Sequence, residues 1–98
     1  MNPKDLFQQA LAAHQAGNLA QAESLYARLL ADRPGHPQVT YLMGALRAAQ
    51  GHSAEAVTLL ETALAAQPAN PAVLLHLGNA LQDQRRYADA VTRYDQAL

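Results

Sequence analysis

The chain contains no cysteine and no tryptophan, and its aromatic residues are four tyrosines and one phenylalanine among 98 residues. Without cysteine, disulfides and thiolate metal sites are excluded. Half of the residues are hydrophobic, but alanine supplies much of this half, and strands would need more β-branched and aromatic side chains. The composition is therefore typical of helices that approach one another closely.

Charge is also scarce and nearly balanced, with 7 Lys and Arg against 8 Asp and Glu and a net charge of −1. Such a chain has no electrostatic attraction for a nucleic-acid backbone or an anionic lipid surface, so we expect neither nucleic acid nor membrane as a partner. No segment approaches the ~20 apolar residues of a membrane span, and the N-terminus MNPKDLFQQA lacks the apolar run of a signal peptide. We therefore expect a soluble, cytoplasmic chain.

The prolines recur with a fixed spacing. The stretch DRPGHPQV has a near copy, AQPANPAV, in which both prolines are shifted by 34 residues. Further sets of residues keep the same phase: Gly17 and Gly51; Gly44 and Gly78; Ala22, Ala56 and Ala90; Tyr26, Leu60 and Tyr94; Leu30, Leu64 and Leu98. A period of this length indicates stacked repeats. We predict one domain, 1–98, with repeats 3–36, 37–70 and 71–98, of which the last is incomplete.

Each repeat contains two stretches in which apolar or small residues recur at three- and four-residue steps, as on one face of a helix. The predicted helices run from Pro3 to about Ala16, Leu19 to before Arg33, Pro37 to about Gln50, about Ser53 to Ala66, Pro71 to about Gln84, and about Tyr87 to the end. In the turn of the third repeat, Arg85 and Arg86 stand where the other turns have glycine. We expect this turn to close with a less favourable backbone conformation, because it lacks the tolerance of glycine for positive φ.

Prolines and polar residues mark the helix ends. The second proline of each P-x-x-P falls in the first turn of a helix, where its missing N–H is no loss. We prefer this explanation to a polyproline ligand for an SH3 or WW domain, because two short turns account for the prolines. Asn2 and Asn70 are predicted N-caps, His36 a weaker one, and Asn18 an N-cap in a capping box with Gln21.

These features resemble the tetratricopeptide repeat, a 34-residue helix–turn–helix unit. The third repeat matches its pattern best, at Leu74, Leu77, Gly78, Leu81, Ala90 and Tyr94. The resemblance implies an all-α solenoid of about six helices that forms a segment of a right-handed superhelix. The sequence departs from the pattern at Gln9, Thr40 and Arg47, where polar residues replace apolar ones.

No catalytic arrangement is found, so we expect no enzyme activity, no metal and no cofactor. The four histidines have no second histidine or carboxylate at the spacing of a helical metal site, and we interpret them as solvated or capping residues. The carboxylates are scattered around their helices rather than paired on one face. The glycines follow the repeat and form no phosphate-binding loop.

The resemblance implies that the first helices of successive repeats line a concave groove that binds extended peptides or helices. The matching positions are Phe7, Tyr41 and Leu75 in one row, Leu11, Ala45 and Asn79 in the next, and His14, Ala48 and Gln82 in the third. This floor should prefer an apolar or amphipathic segment. Two alternatives stay open: the first row packs between helices, or another part of the parent chain fills the groove.

Two further comparisons concern the ligand. Relatives that bind acidic chaperone C-termini use Lys, Arg and Asn in the groove, whereas the matching positions here are Phe7, Leu11, Ala45, Ala72 and His76. We therefore expect no such carboxylate clamp. Protein O-linked sugar transferases carry an asparagine ladder at the position of Asn79, but a single asparagine also fits a solvated polar residue.

We therefore expect a noncatalytic protein-interaction module. The alternative is the N-terminal scaffold of a larger enzyme, of the glycosyltransferase or sulfotransferase type, by analogy with bacterial proteins that open with Ala- and Leu-rich repeats of this kind. Because the third repeat stops inside its last helix, we expect Val91, Tyr94 and Leu98 to lack part of their cover. Self-association through this uncapped C-terminal helix is a third hypothesis.

Overall fold

The computed structural model describes residues 2–98, and within this range it contains six helices and no strand. The helices are α1 (Pro3–Gln15), α2 (Leu19–Asp32), α3 (Pro37–Ala49), α4 (Ser53–Ala66), α5 (Pro71–Asp83) and α6 (Tyr87–Ala97). Consecutive helices pack against each other in chain order, and the stack measures 43 × 24 × 20 Å. The predicted all-α stack of helical pairs is confirmed.

The first helix of each pair begins with proline after a side chain that caps it. The Asn2 side chain accepts a hydrogen bond from the Asp5 backbone N–H at 2.9 Å, and Asn70 caps α5 in the same way. His36 Nδ1 accepts from the Val39 N–H at a longer 3.4 Å. These three caps agree with the prediction, including the weaker role of histidine.

The predicted capping box at Asn18 is wrong. Asn18 makes no side-chain hydrogen bond to α2, because its backbone (φ −81°, ψ 70°) lies outside the extended region from which an N-cap side chain reaches the helix. His52 and Arg86 have nearly the same backbone angles and also lack a side-chain cap. All three turns are therefore held by backbone bonds, such as the one from the Asn18 N–H to the Ala13 carbonyl at 2.8 Å.

The turn of the third repeat shares the geometry of the other two without their glycine. Gly17 and Gly51 have φ of 83° and 82°, and Arg85 has φ of 61°. This left-handed conformation crowds a Cβ atom against the following carbonyl, so Arg85 is strained where the glycines are not. The expectation of a less favourable backbone conformation in the third turn is confirmed.

Small residues set the distance between the helices of a pair. A Cβ atom on Gly44 would lie 2.8 Å from Leu60 Cγ, and one on Gly78 would lie 2.5 Å from Tyr94 Cε1. Neither position has room for a larger side chain, because the helices are in direct contact there. Ala56, on α4, is fully buried for the same reason.

The buried side chains form two clusters. One lies among α1, α2 and α3, and the other among α4, α5 and α6. Two of the predicted departures have a clear place: Thr40 is buried at 3% exposure, and Arg47 reaches out to two carboxylates. Thr40 therefore lies in the core, whereas the Arg47 side chain, 20% exposed, ends in ion pairs with carboxylates of two other helices.

The last helix lacks a neighbour on one side. Val57 and Leu64 of α4 are 5% and 9% exposed beneath α5, while their counterparts Val91 and Leu98 are 55% and 102% exposed. The predicted lack of cover is confirmed for Val91 and Leu98, whereas Tyr94 is partly buried and packs against the core. The same repeat position is therefore buried or exposed according to whether another helix follows.

Replacing Ala56 with leucine should overpack α4 against its neighbours and lower the free energy of unfolding by about 1–3 kcal/mol. Ala54→Leu, two residues away and exposed, is the matched control and should stay within about 0.5 kcal/mol of wild type. Urea unfolding followed by circular dichroism measures both. Equal stability of the two variants would contradict the tight packing at Ala56.

Candidate protein-binding groove

The first helices of the second and third pairs meet on one side of the stack, because α3 touches α5 directly besides its contacts with α4. The Tyr41 hydroxyl lies 3.3 Å from Nδ1 of His76 on α5, and the two rings meet edge to face with centroids 5.3 Å apart. We call the surface of α1, α3 and α5 on this side the inner groove; its predicted residues are Phe7, Leu11, His14, Tyr41, Ala45, Ala48, Leu75, Asn79 and Gln82.

The apolar part of the inner groove is accessible. Phe7, Leu11 and Tyr41 are half-buried, and Leu75 is 47% exposed. Phe7 and Tyr41 also pack against the two core clusters, so the packing alternative is correct for part of each side chain. Phe7 and Tyr41 are therefore held by the core on one side, and the first row as a whole exposes apolar surface on the other.

Tyr41 and His76 place a hydrogen-bonded polar pair on this apolar surface. His76 Nδ1 is also 2.9 Å from the Ala72 carbonyl, which can only accept, so we infer that Nδ1 carries the proton. The Tyr41 oxygen then shares that proton, and its own hydroxyl proton can point to a ligand. Burial raises the pKa of Tyr41, which keeps the hydroxyl protonated. The interpretation of His76 as a solvated residue missed this contact.

His14 supports the core from the groove side. Its Nδ1 is 2.9 Å from the hydroxyl of Tyr26, a side chain with 0% exposure. Burial raises the pKa of Tyr26 to about 12. Burial also lowers the pKa of His14, and the charge of His76 contributes in the same direction. His14 therefore satisfies a buried hydroxyl group that water does not reach.

The third repeat has an equivalent arrangement. The Tyr94 hydroxyl donates to Asn79 Oδ1 at 2.6 Å and also lies 3.0 Å from Gln82 Oε1. Asn79 and Gln82 are both exposed, so their remaining polar atoms face solvent. Asn79 and Gln82, which are both predicted groove residues, therefore also contact a tyrosine of their own repeat.

A signal for these contacts was present in the sequence. Where a repeat has tyrosine in its second helix, Tyr26 or Tyr94, the third groove row has a polar residue, His14 or Gln82. In the second repeat the tyrosine is replaced by leucine and the polar residue by Ala48. The pairing could have been predicted from this alternation, because a fully or partly buried hydroxyl needs a hydrogen-bond partner.

The groove has a charged margin beside α1. Phe7, Leu29 and Val39 line a cavity of about 210 Å³ whose other walls include Lys4 and Arg33. Asp32 also lines this cavity, so cations and an anion stand together at its edge. The apolar floor of the groove is therefore bounded by charge at this end.

Within residues 2–98, no group of three or more His, Asp or Glu side chains could hold a metal ion. None of the helices described is long and apolar enough to cross a membrane.

The histidine at the groove should make stability depend on pH. Because folding lowers the pKa of His14, the unfolded chain binds the proton more readily, and protonation favours unfolding. This contribution is fully present above the ordinary value of 6.5 and is lost as the pH falls towards the lowered pKa. His14→Gln keeps a partner for Tyr26, as Gln82 does for Tyr94, and should lose less stability between about pH 7.5 and about pH 5.5.

Urea unfolding at the two pH values measures this difference. The control is His52→Gln, because the His52 side chain is 53% exposed in a turn. Its stability should fall more between the two pH values than that of His14→Gln. If His14→Gln lost as much stability as wild type between the two pH values, the burial of His14 would not be the cause of the pH dependence.

Comparison with known proteins identifies the fold. A family model described as tetratricopeptide repeat matches residues 13–62 and 47–98. Among proteins with curated descriptions, none matches the chain.

Several solved structures are similar over nearly the whole chain. An O-GlcNAc transferase mutant from Thermobaculum terrenum is 28% identical with a TM-score of 0.94, over 98% of this chain and 18% of that one. MamA from Desulfovibrio magneticus RS-1 is 25% identical with a TM-score of 0.92, over 98% and 54% of the two chains. The Sgt2 TPR domain from Aspergillus fumigatus is 24% identical with a TM-score of 0.89, over 97% and 63%.

The chain thus spans about half the length of MamA and less than two thirds of the Sgt2 domain. The family model covers most of the sequence, and these neighbours share the same stack of helical pairs. The chain therefore belongs to the tetratricopeptide repeat family, whose fold serves as a protein-interaction scaffold.

Proposed function

We propose that the chain is a noncatalytic protein-interaction module that binds an apolar or amphipathic segment of a partner in the inner groove. The observation that carries this proposal is the exposure of anchored apolar side chains on one side of the stack. Phe7 and Tyr41 are fixed by the core at their base, and Leu75 is 47% exposed. Anchored side chains lose little conformational freedom on binding, which favours affinity.

Polar groups beside this apolar row suit the backbone of a bound segment. The Tyr41 hydroxyl has a proton to donate, and Asn79 and Gln82 are exposed amides held in place by Tyr94. A peptide backbone offers the matching donors and acceptors. The groove therefore combines apolar contacts with a few fixed hydrogen-bonding groups, as small binding sites commonly do.

The clamp positions of the inner groove argue against an acidic ligand, because none of them carries Lys or Arg. The positions that carry the carboxylate clamp in chaperone-binding relatives are apolar or histidine here, at Phe7, Leu11, Ala45, Ala72 and His76. Since an exposed carboxylate is well hydrated, it gains nothing from such a surface. We therefore expect ligands whose central residues are apolar.

A second candidate is the scaffold region of a larger enzyme of the glycosyltransferase or sulfotransferase type, with its catalytic residues outside this sequence. The similarity to an O-GlcNAc transferase, over 18% of that chain, favours it. Sequencing the gene beyond the codon for Leu98 tests this candidate. A downstream transferase sequence would support it, and a stop codon directly after Leu98 would remove it.

Self-association is a further proposal, favoured by the exposed side chains of Val91 on α6 and of Leu98 directly after it. Sedimentation over a range of concentrations tests it, since association should raise the apparent mass as concentration increases. A constant monomer mass at the highest concentration would exclude this proposal.

Selection from a random peptide library tests the inner groove directly. We expect enrichment of apolar residues, and roughly tenfold weaker binding of the selected peptides to Phe7→Ala/Tyr41→Ala, since anchoring aromatic residues dominate such interfaces. Circular dichroism must first confirm unchanged helicity. Tyr87→Ala, which removes an exposed tyrosine on α6, is the matched control and should bind like wild type.

Two results would contradict the proposed site. Equal binding of the selected peptides to wild type and to the double variant would exclude a role for Phe7 and Tyr41. Enrichment of acidic peptides without apolar residues would contradict the expected ligand chemistry.

A further inference from the structure

A cleft opens on the side of the stack away from the inner groove, between α2 and α4. We call it the outer cleft; it is lined by Ala27, Leu30, Ala31, Met43 and Leu59, with Arg47 and Glu55 at one end. Its volume is about 590 Å³. A cavity of about 150 Å³ accepts benzene, so the outer cleft has room for a large side chain together with neighbouring atoms.

The same position one repeat later is different. There, Glu61 takes the place of Ala27 and Arg93 takes the place of Leu59. These two charged residues line a space of about 180 Å³ together with Asp89. The repeat geometry alone therefore does not produce the outer cleft, because the second junction is smaller and charged.

Arg47 explains why the first junction stays open. Its counterpart in the third repeat, Leu81, is 3% exposed and packs in the core. Arg47 instead extends to Glu23 of α2 at 2.8 Å and to Glu55 of α4 at 3.1 Å. Arg47 joins α2 and α4 at one end of the cleft. The space that a leucine at this position would fill stays open.

This end of the outer cleft has an excess of negative charge. Two carboxylates, Glu23 and Glu55, share the single guanidinium of Arg47. The Glu55 side chain is 61% exposed, and so remains available to a second cation. Its other neighbour is His52 at 4.0 Å, which is charged only when protonated. An apolar surface thus ends at an accessible carboxylate.

We propose that the outer cleft is a second protein-binding site, which takes an aliphatic side chain of a partner that carries a lysine or arginine beside it. The aliphatic side chain contacts the alanine and leucine side chains of the cleft, and the adjacent cation pairs with Glu55. Most of this site is lined by the second helices α2 and α4, with Met43 and Arg47 from α3, and none of its lining residues is among those named for the inner groove. It can therefore be occupied independently of the groove.

The charge preference can be measured with blocked dipeptides as probes. In an NMR titration, N-acetylated and C-amidated Leu-Lys should shift the backbone amide signals of Ala27, Ala31 and Leu59 in a saturable way. Leu-Gln should bind roughly two- to fivefold more weakly, because it lacks the exposed ion pair. Leu-Glu should bind more weakly still, and Ala-Lys should lose the apolar contact.

Filling the cleft should abolish binding without unfolding the chain. Ala27→Leu/Ala31→Leu introduces good helix formers at two exposed positions and occupies the space. Ala20→Leu, an exposed position in the first turn of the same helix, is the matched control and should bind Leu-Lys like wild type. Glu55→Gln should reduce the preference for Leu-Lys over Leu-Gln, and Glu61→Gln at the other junction should not.

Three results would overturn the proposal. Equal affinity for Leu-Lys and Leu-Glu would exclude recognition of charge. Unchanged saturable shifts in the filled variant would place the probe outside the cleft. Shifts confined to Phe7, Tyr41 and Leu75 would assign binding to the inner groove alone, and that outcome would leave the proposed function of the groove intact.

Discussion

Each helical pair can bury its apolar side only against the next pair, and the structure depends on this constraint. Val57 and Leu64 are buried where α5 covers α4, whereas Val91 and Leu98, at the last helix that the structure describes, are exposed. Within a pair, the close contacts of Gly44 with Leu60 and of Gly78 with Tyr94 fix the distance between the two helices. Stability in such a stack is approximately the sum of each pair and its interfaces.

The repeats share this framework, and the differences between them define their surfaces. Arg47 replaces a core leucine and opens a cleft on one side of the stack. On the other side, His14 serves a buried tyrosine hydroxyl and at the same time faces the groove. A single polar residue at a repeat position is thus associated with a different surface at that repeat.

The fold could be predicted from the sequence because a 34-residue period constrains every repeat at once. The positions of prolines and small residues located the helices to within a residue or two of the observed bounds. The capping role of Asn18 was predicted wrongly, because the motif of residue types does not specify the backbone angles that aim the side chain.

The details of the candidate sites were harder to predict. Leu75 and Tyr41 were placed on the groove by the family resemblance, but the contact between Tyr41 and His76 joins two repeats and has no local sequence signal. The outer cleft depends on the direction in which Arg47 extends, which follows from carboxylates on two other helices. Such contacts depend on three-dimensional packing that a repeat pattern leaves open.

Native-state amide hydrogen exchange, measured along the whole chain, tests the central claim most directly. If burial against the next pair provides the stability, amides of α4 near Leu60 should exchange far more slowly than amides of α6 near Val91. Equal protection of α4 and α6 would contradict this account, since it would mean that α6 is as stable without a following helix as α4 is with one.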